Sequence, residues 1–215
     1  MDSVHYLNIM NLAEIPWQGI YRRLGFRKAA TRMTSAQREE TEKHIRRACD
    51  LIRLRGAILQ LPVRITVPDK VALTDNVTWT SKDLVKFLRD SHAIYLMGVT
   101  GGNEIMEAIH ADMEADHTTH AVILDAAASE IVDAGLDWIM AYLRQSLQRE
   151  GRTLTKTRYS AGYGDLPLSH QRDVHRLLGL DRLGVSITET CILVPEKTVT
   201  AVTGVKAIPL ISRDQ

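Results

Sequence analysis

Residues 158–167, Arg-Tyr-Ser-Ala-Gly-Tyr-Gly-Asp-Leu-Pro, place a guanidinium, two phenol rings and two glycines in one short stretch. Gly162, Gly164 and Pro167 all disfavour a helix, so the stretch is expected to be a loop. A fixed cation beside a glycine-opened backbone suits a small ligand with a carboxylate and a planar ring. The same residues also suit a tight turn closed by a tyrosine hydroxyl, and the segment by itself leaves both readings open.

A long helical pattern ahead of this loop supplies the opposite charge. Residues 121–148 are predicted to form one helix, in which Glu130, Asp133 and Asp137 recur at spacings that place their carboxylates on one face. Such a row is usually a solvated acidic face. It also allows one carboxylate to receive the ammonium group of a ligand. Asp133 and Arg158 would then match the two ends of an amino acid.

The other motifs predict neither a metal site nor a covalent catalyst. His117 and His120 could share a helix face, but no cysteine or third histidine has matching spacing, which favours a solvated pair. The glycines of 99–103 match neither a P-loop nor a dinucleotide fingerprint and favour a plain strand-to-helix turn. No Ser/His/Asp or Cys/His arrangement stands out. We therefore assign no catalytic side chain and no metal ligand.

The cobalt-ligand motif of corrinoid proteins, Asp-x-His-x-x-Gly, is also not satisfied. Asp90 and His92 are present, but Tyr95 stands where the motif requires glycine. His92 is better explained as a polar residue ahead of a buried strand. We expect any corrinoid to be carried by another protein.

Composition excludes several classes of protein. The chain has 215 residues, of which 45% are hydrophobic and 25% charged, with a net charge of +1. This balance gives no electrostatic footprint for nucleic acid or an anionic membrane. Cys49 and Cys191 stand alone, which argues against a disulfide framework. With no long apolar run and no signal-peptide plan in residues 1–10, we expect a cytoplasmic protein.

Hydrophobic periodicity indicates an α+β fold, because strands and helices mix without strict alternation. Helices are predicted over 15–26, from an N-cap at Ser35 to near Gly56, and over 81–88, 103–115, 121–148 and 168–178. Strands are predicted over 59–67 with an interruption at Pro62, and over 71–79, 93–99, 185–187, 192–194 and 198–208.

The loop at Arg158 resembles a known family. Residues 158–163 are similar to the Arg-x-x-Pro-Gly-Tyr segment of the activation domain of cobalamin-dependent methionine synthase, and residues 164–169 with Gln171 resemble its stand-alone form. Further similarities keep the family's order along nearly the whole chain. Residues 20–26 resemble the family's N-terminal helix, and residues 124–126 and 132–134 resemble its long helix. Residues 184–190 resemble its Leu-Thr-Glu-Ser element, and residues 195–199 resemble its Pro-x-x-Ser-Val element.

The resemblance implies one activation-type domain over 1–215, with a helical N-terminal part over about 1–57 and a twisted, mainly antiparallel sheet flanked by helices. It also implies a methyltransferase component of methionine synthase reactivation. In that family S-adenosylmethionine is bound and its methyl group is presented to the cobalt of inactive cob(II)alamin, while a flavoprotein or similar donor supplies an electron. The implied partners are a corrinoid-binding methyltransferase, which carries the cobalamin, and an electron-donor protein.

Carried over position by position, the resemblance assigns roles to individual residues. Arg158 would clamp the methionine carboxylate, and Asp133, where the family usually has glutamate, would meet the ammonium group. The implied S-adenosylmethionine site comprises Asp133, Arg158, Ser160, Ala161, Gly162 and Tyr163, with Thr188 and Glu189 as supporting residues. Ala161 stands at the position of the family's proline.

Two alternatives to this function stay open. The chain could serve a corrinoid methyltransferase that does not make methionine. It could also be a non-catalytic module that docks on a corrinoid protein without binding the ligand, which the changes at Ala161 and Asp133 would permit.

Overall fold

A five-stranded antiparallel sheet lies at the centre of the molecule. The computed structural model describes residues 3–9, 12, 14–27 and 31–208. The strands are β1 (His5–Asn8), β2 (Arg55–Pro62), β3 (Arg64–Thr66), β4 (Lys70–Thr74), β5 (Val77–Thr80), β6 (Ala93–Thr100), β7 (Arg152–Leu154), β8 (Ser186–Ile187), β9 (Leu193–Val194) and β10 (Thr198–Ala207). The helices are α1 (Trp17–Arg23), α2 (Ser35–Leu51), α3 (Lys82–Leu88), α4 (Glu104–Glu114), α5 (Thr118–Gln148) and α6 (Gln171–Leu178), with 3₁₀ turns at Leu168–His170 and Leu180–Leu183.

The order of strands in the main sheet is β1-β2-β6-β10-β7, and every neighbouring pair is antiparallel. β3, β4 and β5 form a separate antiparallel meander, and β8 pairs with β9 as a small hairpin. Strands and helices do not alternate in βαβ units. The predicted α+β class with an antiparallel sheet and flanking helices is therefore confirmed.

Helices α1, α2, α4 and α5 cover one face of the sheet, and the β3–β5 meander, α3 and α6 cover the other. Alternate residues of β6 enter the two resulting cores. Met97 and Val99 face the first group, and Ile94 and Leu96 face the second. Because both faces are buried, this central strand is apolar along its whole length, which explains the uninterrupted apolar run in its sequence.

The N-terminal part contains helices α1 and α2 together with a short strand. It begins with edge strand β1, which pairs along β2, and β2 itself starts at Arg55. Within this part, residues 1, 2, 10, 11, 13 and 28–30 lie outside the described residues. Ile20 of α1 and Ile45 of α2 are fully buried in the core that α5 also lines, so this segment shares the core of the rest of the chain.

Several predicted boundaries differ from the structure, three of them ahead of β4. The N-cap of α2 is Thr34 rather than Ser35, because Thr34 and Gln37 satisfy each other's backbone N–H groups in a capping box. The helix then ends at Leu51, before the predicted Gly56, and β2 begins at Arg55. The predicted strand over 59–67 is divided at Val63 into β2 and β3, which join different sheets, in keeping with the interruption at Pro62.

The longest helix, α5, has 31 residues and spans the sheet. Its buried face includes Leu124, Ile131 and Leu136, and Gly135 allows close contact with Val99 of β6. No helix in the described ranges is long and apolar enough to cross a membrane. The position of α5 across the sheet brings its acidic face beside the loop that follows β7.

Candidate ligand-binding site

The loop after β7 is held against β10 at its first half. Tyr159 exchanges two backbone hydrogen bonds with Val202, at 2.9 and 2.7 Å. The Ser160 hydroxyl donates to the carbonyl of Thr200 at 2.7 Å. These bonds make residues 159 and 160 a short continuation of the sheet edge, and they fix the direction in which Arg158 leaves the backbone.

The second half of the loop is anchored to helix α3. The Asp165 carboxylate accepts hydrogen bonds from the Ser81 hydroxyl and from the backbone N–H groups of Lys82, at 2.7 Å, and Asp83, at 3.2 Å. The Ser81 hydroxyl and these N–H groups hold the pKa of Asp165 below its ordinary value, against a smaller opposing effect of burial. The Asp165 carboxylate thus accepts from the free N–H groups at the N-terminus of α3, and this contact fixes the second half of the loop.

Arg158 lies between two carboxylates of α5. One guanidinium nitrogen is 2.8 Å from Oδ1 of Asp133, and another donates to Oδ1 of Asp137. Burial works against the charge of Arg158, but the two carboxylates outweigh it and raise the pKa of Arg158 above its ordinary value. The Asp133 side chain is 50% exposed, whereas that of Asp137 is 70% exposed. Asp137 is therefore the more solvated of the two partners.

A cleft of about 420 Å³ opens beside this cluster. Its lining residues come from α5, the loop, the start of the α6 region and β10: Asp133, Leu136, Arg158, Tyr159, Ser160, Ala161, Tyr163, Leu168, Gln171, Val199 and Thr200. A volume of this size falls in the range of small-molecule sites. Charged and apolar side chains both line the cleft, so it suits a ligand with a polar head and a flat body.

Most of the residues predicted for the site meet at this cleft. Asp133, Arg158, Ser160, Ala161 and Tyr163 line it, and the Tyr163 side chain is 69% exposed. The structure thus brings together residues from two segments that the sequence keeps well apart.

Gly162 shapes the loop without lining the cleft. It has a φ of 89°, a conformation that glycine adopts readily, and its N–H donates to the carbonyl of Leu166 at 2.9 Å. That N–H is already satisfied within the loop. A direct contact from this group to a ligand would first require that bond to open.

Thr188 and Glu189 are placed elsewhere. They belong to the turn between β8 and β9, where the Thr188 hydroxyl accepts from the N–H of Ile192 at 3.0 Å. The Glu189 carbonyl accepts a hydrogen bond from Arg172, which follows Gln171 on α6. Their contacts are with this turn and with α6, and neither residue lines the cleft.

Three polar residues at the site lie outside the set that the sequence assigns to the ligand. Asp137 was recognised only as part of the acidic face, although its spacing of four from Asp133 already placed both carboxylates together. Gln171 is 7% exposed, and its Oε1 accepts from the Thr200 hydroxyl at 3.0 Å. No local pattern could have identified Gln171 or Thr200, since only the packing of α6 on β10 brings them to the cleft.

The remaining acidic and glycine motifs have structural partners. Glu130, the third carboxylate of the α5 face, pairs with Arg23 of α1 at 2.9 Å. In the turn after β6, the N–H of Gly101 donates to the backbone carbonyl of Lys197, and the N–H of Gly102 donates to the Thr100 hydroxyl. Those N–H groups are satisfied within the protein, as expected for a plain strand-to-helix turn.

The fold is that of an α+β protein, with a cleft between a long helix and a sheet edge. No protein-family model matches the chain, and no curated protein matches it. Among solved structures 13 chains match. One is the crystal structure of the MetH reactivation domain bound to AdoHcy, with a TM-score of 0.71 and 15% identity, over 94% of this chain and 78% of that one. The chain therefore has the fold of the MetH reactivation domain.

Proposed function

We propose that this chain is an activation subunit that binds S-adenosylmethionine and supports reductive remethylation of a corrinoid on a separate methyltransferase. One observation carries the proposal. Arg158 and Asp133 line a cleft together, in a fold whose crystallised neighbour was bound to AdoHcy. The methyltransferase that we favour as its partner is a cobalamin-dependent methionine synthase.

The charged residues of the cleft fit the amino-acid part of this ligand. A guanidinium can donate two parallel hydrogen bonds to a carboxylate, and a carboxylate can accept from an ammonium group. Arg158 would hold the ligand's carboxylate and Asp133 its ammonium group. Because Asp137 already occupies part of the guanidinium and is the more exposed acid, we infer that the ligand's carboxylate takes the place of Asp137.

The rest of the cleft fits an adenosyl group. Leu136, Leu168 and Val199 offer apolar surface against which a flat ring system can pack. The oxygen of the Gln171 side chain accepts from the Thr200 hydroxyl. Its amide N–H group would donate to a ring nitrogen or a hydroxyl of the ligand. The Tyr163 phenol lies at the open side, where it can cover the bound ligand.

The chain's residues are required to position the reactants rather than to move protons. S-adenosylmethionine, when bound, supplies a methyl group that its sulfonium has already activated. Arg158 and Asp133 would fix one end of the ligand, and the loop anchored at Ser160 and Asp165 would keep that geometry rigid. A rigid, largely apolar wall would also exclude water from the reacting methyl group. On this proposal the protein binds and orients the reactants, and no catalytic side chain is needed.

A ligand-free docking module is the second candidate. One observation favours it: Arg158 already pairs with two carboxylates, so its charge is balanced without a ligand's carboxylate. The third candidate is an activator of a corrinoid methyltransferase that does not make methionine. The cleft would bind the same ligand in that case. The identity of the partner distinguishes that case.

An absorbance assay separates the first two candidates. Purified corrinoid methyltransferase in the cob(II)alamin state is mixed with an electron donor and S-adenosylmethionine, and methylcobalamin is followed with and without this chain. We expect methylation only when the chain is present, and its loss with Arg158→Ala. If the chain binds the methyltransferase in a pull-down but gives no methylation, the docking module is correct and the enzyme proposal is wrong.

A further inference from the structure

A second cluster of ligand-type side chains lies where α2 meets the start of α5. Glu40 and His44 are one helical turn apart on α2, and His120 comes from the first turn of α5. Oε1 of Glu40 is 2.9 Å from Nε2 of His44 and 3.7 Å from Nε2 of His120. One ligand atom from each residue falls within 4.8 Å of the other two.

One member of the cluster is buried, and the other two are partly exposed to solvent. The His44 side chain is 6% exposed, whereas Glu40 is 50% and His120 32% exposed. The two imidazole rings stack with their centroids 3.9 Å apart and an angle of 21° between their planes. The Nε2 atoms of both rings lie near the same Glu40 oxygen, so one ion could contact all three side chains.

Only one nitrogen of His44 can reach this opening. Its Nδ1 is buried and has no hydrogen-bond partner among the described residues. Nε2 is thus the atom that His44 presents to any ligand. Metal-bound histidines normally donate their other N–H to an acceptor, so a metal here would be held less tightly than in a site with that support.

We propose that Glu40, His44 and His120 bind a divalent transition-metal ion, with Zn²⁺ the best match, and that the ion joins α2 to α5. Two imidazoles and one carboxylate form a typical zinc ligand set, leaving a fourth position for water. The exposed His117, whose ring centroid is 5.2 Å from that of His120, is close enough to compete for that position. This site is separate from the Arg158 cleft and does not depend on the proposed function.

Lys43 is the cation that faces this site. Its Nζ is 3.6 Å from Oε1 of Glu40, so a bound metal and the Lys43 ammonium would compete for one carboxylate. The side chain is 70% exposed and can turn into solvent. Removing it should therefore strengthen metal binding, whereas a hydrogen-bonded cluster without a metal function would show no such effect.

The test measures metal binding to the untagged, chelator-treated chain by equilibrium dialysis with Zn²⁺, and by the absorption bands of Co²⁺. We expect one ion per chain, an affinity at least about tenfold lower in His120→Ala, and tighter binding in Lys43→Ala. His110→Ala, an exposed histidine of α4 outside the cluster, is the matched control and should bind like the unmodified chain.

Glu40→Gln is a second variant in case His120→Ala fails to fold, since Glu40 is half-exposed and its loss leaves the core intact. Circular dichroism would establish that each variant is folded. Absence of saturable binding of either metal by the unmodified chain overturns the proposal. So does binding that His120→Ala and Glu40→Gln leave unchanged.

Discussion

The guanidinium of Arg158 lies 2.8 Å from the carboxylate of Asp133, although one residue is in the loop after β7 and the other is on α5. Both residues line the cleft. An amino-acid ligand would have to enter by exchanging partners with this pair. The affinity of the protein for such a ligand should therefore change when the charge of Arg158, Asp133 or Asp137 is removed.

Removing the guanidinium should abolish most of the proposed binding. Arg158→Ala deletes hydrogen bonds to a charged group, each worth about 1.5–3 kcal/mol, so S-adenosylmethionine affinity should fall at least about tenfold. Isothermal titration would measure it. Arg149→Ala, an exposed arginine at the end of α5, is the matched control and should leave the affinity unchanged. Equal affinities for both variants would place the ligand elsewhere.

The two acids should respond in opposite ways. Asp133→Asn removes the proposed partner of the ammonium group and should weaken S-adenosylmethionine binding at least about fivefold. Asp137→Asn removes a competitor for Arg158. Because exposed ion pairs contribute about 0–1 kcal/mol, the affinity should be unchanged or rise up to about fivefold. The same titration checks both, and a loss of binding in Asp137→Asn would contradict the assigned exchange.

A methyl group at Gly164 should displace neighbouring side chains. At its φ of 53° a Cβ atom would meet the Tyr159 hydroxyl and lie 2.7 Å from Oδ2 of Asp83. Gly164→Ala therefore adds a steric clash to the roughly 1–2 kcal/mol cost of a left-handed residue. Gly151→Ala is the matched control, since Gly151 has a φ of 67° and open space around its Cβ.

Urea unfolding of both variants would measure the free energy of unfolding. The loss should be larger for Gly164→Ala, and only that variant should also weaken S-adenosylmethionine binding, because the loop must shift. Equal losses in the two variants would mean that the loop accommodates a methyl group without moving.

The Asp165 anchor should make stability depend on pH in the acid range. Its pKa is lower in the folded protein than its ordinary value, so its stabilising contribution is complete above about pH 4. That contribution is lost as the pH falls through the lowered, folded-state pKa. Melting curves of Asp165→Asn and the unmodified chain should differ at neutral pH and converge in acid. A difference that persists unchanged in acid would show that the charge of Asp165 is not the source.

Local patterns predicted the elements that the site needs. The acidic spacing of Asp133 and Asp137 and the helix-breaking glycines after Arg158 follow from chain geometry alone, and the structure has both the helix and the loop. The short edge strands β1 and β7 were not predicted, because edge strands of three or four residues carry too little periodicity to be detected.

The sequence alone does not predict which segments come into contact in the folded protein. Gln171 reaches the cleft because α6 packs under β10, and Asp165 caps a helix that precedes it by more than eighty positions. The same limit applies to His120, whose partners Glu40 and His44 lie on another helix. Spacing along one segment finds only the ligands that share that segment.

The most direct test of the central claim is a crystal of this chain soaked with S-adenosylmethionine. The account predicts electron density in the cleft, with the ligand's carboxylate on Arg158, its ammonium group on Asp133, and Asp137 released into solvent. An empty cleft at saturating ligand, with Arg158 still bound to both acids, would contradict it.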